Sequence, residues 1–190
     1  MGWIMSDEMI VEFCSPTLAG IKTGSLFSCE YSDYRQLERD LRRVNGIFLK
    51  KGIKAIPIRC LNHRALIYIF RPSFLEKDLC DKDAAHLLKG LGYEVMDSSK
   101  CVKCLSRKLK MLKSSNDFPH EIGLFLGYPV EDVKGFIKHR GECSKCIGCW
   151  KVYGDVVKAE DTFDRYKKCT DDYKARFRQG TTLDQLVVCA

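Results

Sequence analysis

A chain of 190 residues with a hydrophobic fraction of 45% can bury a sizeable core, which excludes an intrinsically disordered protein. Its formal net charge of +7 is too modest to require a nucleic-acid partner, and its apolar runs fall far short of the roughly 20 residues of a membrane span. Eleven cysteines without a secretion signal argue against a disulfide framework and predict thiols, metal ligands or redox groups in a reducing cytoplasm.

The N-terminal part of the sequence is predicted to begin with a strand and a long loop. The strand is expected over residues 9–13, where β-branched and apolar residues are grouped. The loop, residues 14–28, is longer than a plain connection needs, and long ordered loops are often functional. Apolar residues at helical spacing then predict a helix after Ser32 that ends at Gly52.

Residues 53–60 and 65–71 are predicted to form a β-hairpin, because only a short turn separates two strand-like runs. Pro57 cannot donate a ladder hydrogen bond, which favours an edge position for the first of these strands. The second strand is almost wholly apolar and is expected to be central. Helices are predicted over residues 72–91, with a break near Asp81.

The C-terminal half of the sequence is predicted to be mostly helical. After a short strand at residues 93–96, the expected elements are a helix from Ser98 or Ser99, helices over 118–127 and 129–141, a strand at 150–153, a helix from Asp155 to Gly180 and a last helix from Thr181 or Thr182. The fold class is therefore predicted to be α+β, with a small, mostly antiparallel sheet packed with helices. We expect one domain, residues 1–190, with a strand-rich half (1–97) and a helix-rich half (98–190) that contains a cysteine loop.

Three sequence motifs are long enough to be specific: HEIGLFLGYPVEDVKGF (residues 120–136), CWKVYGD (149–155) and CSPTLAGIK (14–22). Together they resemble a family of unknown function that is common in clostridia and related anaerobes. The resemblance extends over nearly the whole chain. It implies a small intracellular protein of anaerobic bacteria, and it implies no reaction, cofactor or catalytic residue.

Five cysteines have the spacing of metal ligands. Cys101 and Cys104 form one CxxC pair, and Cys143, Cys146 and Cys149 form CxxCxxC. A spacing of two residues lets both sulfurs of a pair reach one ion at about 2.3 Å, so these thiolates suffice for a zinc site. The CxxCxxC run also resembles iron–sulfur ligation, although the Cys-Pro step of ferredoxins is absent. The leading hypothesis is a cytosolic metal-binding or redox-linked protein that acts with a redox protein partner. The alternative is that some of these cysteines are ordinary small buried residues.

The pair formed by Cys101 and Cys104 also fits a dithiol redox site. It is predicted to lie at the start of a helix, where the helix dipole and the neighbouring Lys103 favour the thiolate of Cys101. The thioredoxin-like βαβ context that usually accompanies such a pair is weak in this sequence.

A thiol-dependent hydrolase or transferase is the second hypothesis. Cys14 follows the predicted first strand and opens a loop, which is a common position for a nucleophile. His120, followed by Glu121 near a predicted helix start, is the candidate base, and Lys22 and Arg71 are candidates to bind an anionic substrate. The alternative is that both Cys14 and His120 are structural. Cys14 would then be a buried residue at the end of a strand, and His120 a side chain in the first turn of a helix that bonds to the backbone.

A basic binding module without catalysis is the third hypothesis. Residues 100–113 form a predicted helix with many lysines and no acidic residue, which suits non-specific phosphate binding or, more simply, a solvated cationic face. The two helices that flank Gly127 resemble a helix-turn-helix, but Glu131 and Asp132 open the second helix where DNA phosphates would lie. We therefore do not expect nucleic acid as the partner.

Overall fold

The computed structural model describes residues 5–95, 97–112 and 118–189, and its contacts divide the chain into two compact units. The first, called the sheet unit, contains the residues up to Ser73 and those from Tyr166 onward. The second, called the helical unit, is Phe74–Arg165. The predicted α+β class is confirmed, since a small antiparallel sheet near the N-terminus is accompanied by many helices. The expectation that these units form one domain stays a prediction.

The sheet unit contains a three-stranded sheet and the helices that cover it. Its elements are α1 (Asp7–Leu18), β1 (Gly24–Glu30), α2 (Tyr34–Phe48), a 3-10 turn (Leu49–Lys51), β2 (Lys54–Leu61), β3 (Arg64–Phe70), the C-terminal part of α8 (Val156–Arg178) and α9 (Leu183–Leu186). The strands are antiparallel in the order β1-β3-β2, and β2 has an irregularity between Pro57 and Arg59. The predicted hairpin, the edge position of Pro57 and the central position of β3 are therefore confirmed.

The predicted first strand is wrong, because residues 9–13 belong to helix α1. Ser6 caps this helix by accepting a hydrogen bond from the Met9 amide, and acidic residues occupy the first turn. Ile10, Cys14 and Leu18 are buried at helical spacing against the core of the unit. Tertiary burial of this stripe overrides the β-propensity of a short apolar run. The region predicted as a loop, residues 14–28, accordingly contains the end of α1 and most of β1.

The helical unit contains six helical segments and a two-stranded ribbon within its described residues. Its elements are most of α3 (Pro72–Leu79), α4 (Lys82–Gly90), α5 (Ser98–Lys110), α6 (Ile122–Phe125), α7 (Val130–His139), β4 (Cys146–Ile147), β5 (Lys151–Val152) and the N-terminal part of α8. The predicted break at Asp81 is present, because this residue caps α4. The strand predicted at residues 93–96 is wrong for residues 93–95, and residue 96 lies outside the described residues.

The segment from His120 to Asp155 forms the part of the helical unit in which a site can be built. Gly127 has a φ of 75° and ends α6 in a tight turn, which α7 follows after Pro129. The ribbon of β4 and β5 comes next, and Asp155 then accepts a hydrogen bond from the Lys158 amide at the start of α8. In the described parts of the chain, no helix combines the length and the apolar character that crossing a membrane requires.

Candidate functional site

A buried carboxylate connects two of the three sequence motifs, residues 120–136 and 149–155. Asp132, in the first turn of α7, is only 3% exposed. One of its oxygens accepts hydrogen bonds from the backbone amides of Tyr153 and Gly154, both at 2.7 Å. Its other oxygen accepts from the indole Nε1 of Trp150, also at 2.7 Å. We call these four residues the Asp132 network. Hydrogen bonds to an ionised acceptor are short and strong, so this network holds the β5 segment against α7.

Two glycines allow the chain segments around this network to approach closely. A Cβ atom at Gly135, one turn along α7 from Asp132, would overlap the ring of Tyr153. A Cβ atom at Gly148 would overlap the ring of Phe163, which belongs to α8. Because both overlaps involve side chains packed between elements, any larger residue at either position would push the ribbon away from its neighbours.

An aromatic pocket of about 310 Å³ lies in the helical unit. Its rings belong to Phe118, His120, Tyr128, Phe136 and Trp150. Aliphatic side chains, including Ile122 and Val133, complete a lining that is mostly apolar. A concave apolar pocket of this size with a few polar groups is the usual form of a small-molecule site.

The rings of the pocket form two clusters. Trp150 stacks on Tyr128 with their centroids 4.8 Å apart, and the Tyr128 hydroxyl donates a hydrogen bond to the Cys149 carbonyl at 3.3 Å. His120 contacts Phe136 at 4.8 Å and Phe118 at 5.7 Å. Offset and tilted rings at these distances attract one another and also present flat faces to a ligand.

Three polar side chains other than those of the Asp132 network and Tyr128 also line the pocket: His120, Cys149 and Lys151. The imidazole of His120 is half-buried between its two ring neighbours. The ammonium of Lys151 donates to the carbonyl of Gly141 at 2.7 Å. Cys149 is solvent-exposed. The pocket thus combines flat apolar walls with a thiol, an imidazole and one cation.

Glu121, predicted as a catalytic partner of His120, lies in a separate polar cluster. It is 5% exposed, and its Oε1 accepts hydrogen bonds from the Tyr93 hydroxyl at 2.9 Å and from Lys108 Nζ at 2.8 Å. The Lys108 ammonium also lies 4.3 Å from the centroid of the Tyr93 ring. These contacts indicate a structural role for Glu121, because a positive charge and a hydroxyl donor compensate the burial of its carboxylate.

Cys14, the predicted nucleophile, is fully buried in the core of the sheet unit. Burial raises the pKa of its thiol to about 12, and the nearby charge of Lys22 and a hydrogen bond with Ser25 oppose that rise only in part. A thiol with such a pKa is almost entirely protonated near neutral pH, which opposes the nucleophilic role. Its proposed base, His120, belongs to the helical unit.

Arg71, predicted to bind an anionic substrate, binds the protein's own backbone. Its guanidinium is fully buried and donates to the carbonyls of Thr17, Leu18 and Val188, each at 2.8 Å. We call these four residues the Arg71 cluster. Burial lowers the pKa of Arg71, although the group remains a cation. Lys22, the other predicted anion ligand, has its ammonium 5.7 Å from the centroid of the Tyr166 ring.

The pair of Cys101 and Cys104 lies in the first turns of α5, as predicted, but both residues are buried. The Cys101 thiol donates to the Glu94 carbonyl at 3.3 Å. Burial, followed by the neighbouring Cys104, raises the pKa of Cys101 to about 11. The expectation that the helix start and Lys103 favour the Cys101 thiolate is therefore wrong, because loss of hydration outweighs them.

The remaining three predicted ligands lie on one loop, residues 143–149, which we call the thiol loop. Cys143 and Cys149 are exposed, and Cys146 is half-buried at the start of the β4–β5 ribbon. All five predicted ligands are among the described residues. Within residues 5–95, 97–112 and 118–189, no group of three or more His, Cys, Asp or Glu side chains is arranged to hold a metal ion. As they lie, these cysteines do not form the tetrahedral site that zinc or a cluster needs.

A family model matches residues 10–187 of the chain, and its description is a protein family of unknown function, DUF3793. The chain belongs to this family. The resemblance inferred from the motifs is thereby confirmed at the level of a family without an assigned activity, while its distribution among anaerobic bacteria stays a prediction. No curated protein and no solved structure matches the chain.

Of the residues that line the pocket, sequence reasoning selects only His120 and Cys149 as site candidates and misses the others. The local pattern identifies Asp132 only as a first-turn acid of α7 and Trp150 only as part of a strand. Two signals pointed further: an acidic residue shortly after the Tyr128-Pro129 step, and glycines beside aromatic residues in both motifs. Their meaning depends on the contact between the motifs, which no local pattern specifies.

Proposed function

We propose that this protein binds a planar aromatic small molecule in the aromatic pocket. What supports the proposal is the pocket itself, whose rings belong to two clusters positioned by the Asp132 network. Aromatic side chains gain energy from offset stacking against another ring as well as from the apolar area they cover. The proposal assigns binding and no reaction.

The test uses N-phenyl-1-naphthylamine, a neutral and apolar aromatic probe whose fluorescence rises in an apolar site. The chain has two tryptophans, so Trp3→Phe leaves Trp150, which lines the pocket, as the only tryptophan donor for energy transfer to the bound probe. We expect saturable binding of one probe per chain. Phe136→Leu removes one ring of the pocket and should weaken binding by roughly three- to tenfold.

Phe13→Leu is the matched control, because Phe13 is exposed, stacks on Phe27 in the sheet unit and does not line the pocket. It should leave the affinity unchanged. Non-saturable binding, or equal effects of Phe136→Leu and Phe13→Leu, would contradict the proposal.

A second candidate function is thiol-based redox or metal chemistry at the thiol loop, in a reducing cytoplasm and with a redox protein partner. The observation in its favour is accessibility: Cys143 and Cys149 are exposed, whereas Cys14, Cys101 and Cys104 are buried. Accessible thiols are the ones that can exchange with a partner disulfide or capture a metal. Metal and sulfide content and free-thiol counts of anaerobically purified protein test it. Unchanged metal content and thiol redox behaviour in a Cys143→Ser, Cys146→Ser variant would exclude this candidate.

A further inference from the structure

The two charged side chains that line the aromatic pocket, Asp132 and Lys151, differ in how far neighbouring groups compensate their charges. Its carboxylate, Asp132, is buried and accepts three hydrogen bonds from the Asp132 network. Because these donors compensate the negative charge inside the protein, the carboxylate has little capacity left for a cationic ligand. A positively charged aromatic ligand would therefore gain little from pairing with Asp132.

Lys151, the cation of the pocket, has a charge that is not compensated in this way. Its ammonium donates to the neutral carbonyl of Gly141, which leaves its charge uncompensated and further N–H donors for a ligand. Within the part of the chain that the structure describes, no carboxylate lies within ion-pair distance of Lys151. A Cβ atom at Gly141 would lie 3.7 Å from Lys151 Nζ and 3.1 Å from the Phe136 ring, so the cation and this ring flank the same position.

We propose that the ligand of the aromatic pocket is a planar aromatic anion, with its ring among the aromatic side chains and its anionic group at Lys151. This inference rests on the proposed function and specifies the class of ligand. The imidazole of His120, which lies beside Phe136, provides a second polar contact for the ligand. A charge-assisted hydrogen bond at the rim of an apolar pocket combines orientation with affinity, which is how small-molecule sites usually gain specificity.

A matched pair of probes separates the two levels of the proposal. 8-Anilino-1-naphthalenesulfonate has the ring skeleton of N-phenyl-1-naphthylamine with one added sulfonate, so the ratio of their affinities isolates the anionic group. We expect the sulfonate probe to bind at one site per chain and about tenfold more tightly than the neutral probe. Its advantage should shrink as salt is added, because the interaction is electrostatic and partly exposed.

Lys151→Met removes the charge and keeps most of the aliphatic stem. It should bring the affinity for the sulfonate probe close to that for the neutral probe, with a much smaller effect on the neutral probe. Lys145→Met is the matched control, because Lys145 also donates to a backbone carbonyl, that of Gly154 at 2.7 Å, but does not line the pocket. It should leave the affinity ratio unchanged.

The outcomes are distinguishable. If both probes bind at the pocket with equal affinity, or if Lys151→Met and Lys145→Met behave alike, the inference about the anion fails and the proposed function stands. If neither probe binds saturably, the proposed function fails and the inference fails with it. Tighter binding of the sulfonate that is lost in Lys151→Met alone supports both.

Discussion

The Arg71 cluster and the Asp132 network each bury one charged side chain and surround it with neutral hydrogen-bonding groups. Arg71 donates to three backbone carbonyls of the sheet unit. Asp132 accepts from two backbone amides and an indole of the helical unit. In both cases neutral dipoles replace the water that the ion loses on burial. In each case a buried ion holds together residues that are distant in the sequence.

The surroundings of these two ions differ. The Arg71 cluster joins the end of α1 to the C-terminal segment beside a closed apolar core that also contains Cys14. The Asp132 network positions Trp150 at the wall of an open pocket beside exposed thiols. A reactive residue type therefore has different chemistry in the two regions, because access to water decides the ionisation of a thiol and its availability to ligands.

The largest difference is expected in thiol reactivity. At neutral pH a thiol with a pKa of about 12, such as Cys14, has a thiolate fraction roughly a thousandfold below that of a thiol with the ordinary value of 9.0. Cys14 should therefore react with iodoacetamide about a thousandfold more slowly than a free model thiol, and much more slowly than the exposed Cys143 and Cys149, as mass spectrometry of the peptides over time will measure. Equal rates would show that the two regions do not differ in access.

The raised pKa of Cys14 also sets the sign of a pH effect. Between pH 9 and about pH 12 the unfolded thiol loses its proton while the folded thiol keeps it. The free energy of unfolding should therefore fall as pH rises through this window, and this contribution is fully present below it. Cys14→Ala should reduce that slope in urea titrations at several pH values, and an identical slope would contradict the buried state of the thiol.

Arg71→Met should cause the largest loss of stability. It removes the buried guanidinium that donates to the carbonyls of Thr17, Leu18 and Val188, which costs about 3–5 kcal/mol of unfolding free energy. The measurement is urea unfolding, with Arg64→Met as control, since Arg64 forms an exposed ion pair with Glu30. Probe affinity should not change. A loss no greater than that of Arg64→Met would show that the Arg71 cluster does not stabilise the sheet unit.

Asp132→Asn should affect stability and binding together. The amide keeps the size of the side chain but directs an N–H₂ group at one of the three donors, so we expect a loss of about 2–4 kcal/mol. The affinity for N-phenyl-1-naphthylamine should fall with it, because Trp150 loses its anchor. Asp155→Asn is the control: this exposed residue accepts from the Lys158 amide at the start of α8, and asparagine caps helices as well as aspartate does. Full retention of probe affinity in Asp132→Asn would show that the Asp132 network is not needed to position the pocket.

Gly135→Ala tests the close packing beside the Asp132 network and should have the smallest effect of this series. Its Cβ would overlap the Tyr153 ring, and relief of that overlap costs about 1–3 kcal/mol. Gly90→Ala is the matched control, because Gly90 ends α4 of the same unit and has open space around it. This second change should be neutral or stabilise by up to about 1 kcal/mol in the same urea titration. Similar results for both glycines would refute the packing argument.

The sequence alone determined several elements of this protein, because local interactions specify them. The β2–β3 hairpin follows from two strand-like runs around Asn62 and His63, and both of these residues adopt positive φ in the turn. Pro57 indicates an edge strand because it lacks an N–H donor. The stops at Gly52 and Gly127 follow from the left-handed conformation that glycine adopts most readily.

Only the tertiary structure decided the rest. The run at residues 9–13 is compatible with a strand or a helix, and burial of Ile10, Cys14 and Leu18 on one side selects the helix. The roles of Cys14, Arg71 and Asp132 depend on which groups lie beside them after residues far apart in the chain have packed together. Residue type and spacing list the groups able to ionise, bind or react, whereas burial and hydrogen-bond partners set their pKa values and leave only some of them accessible.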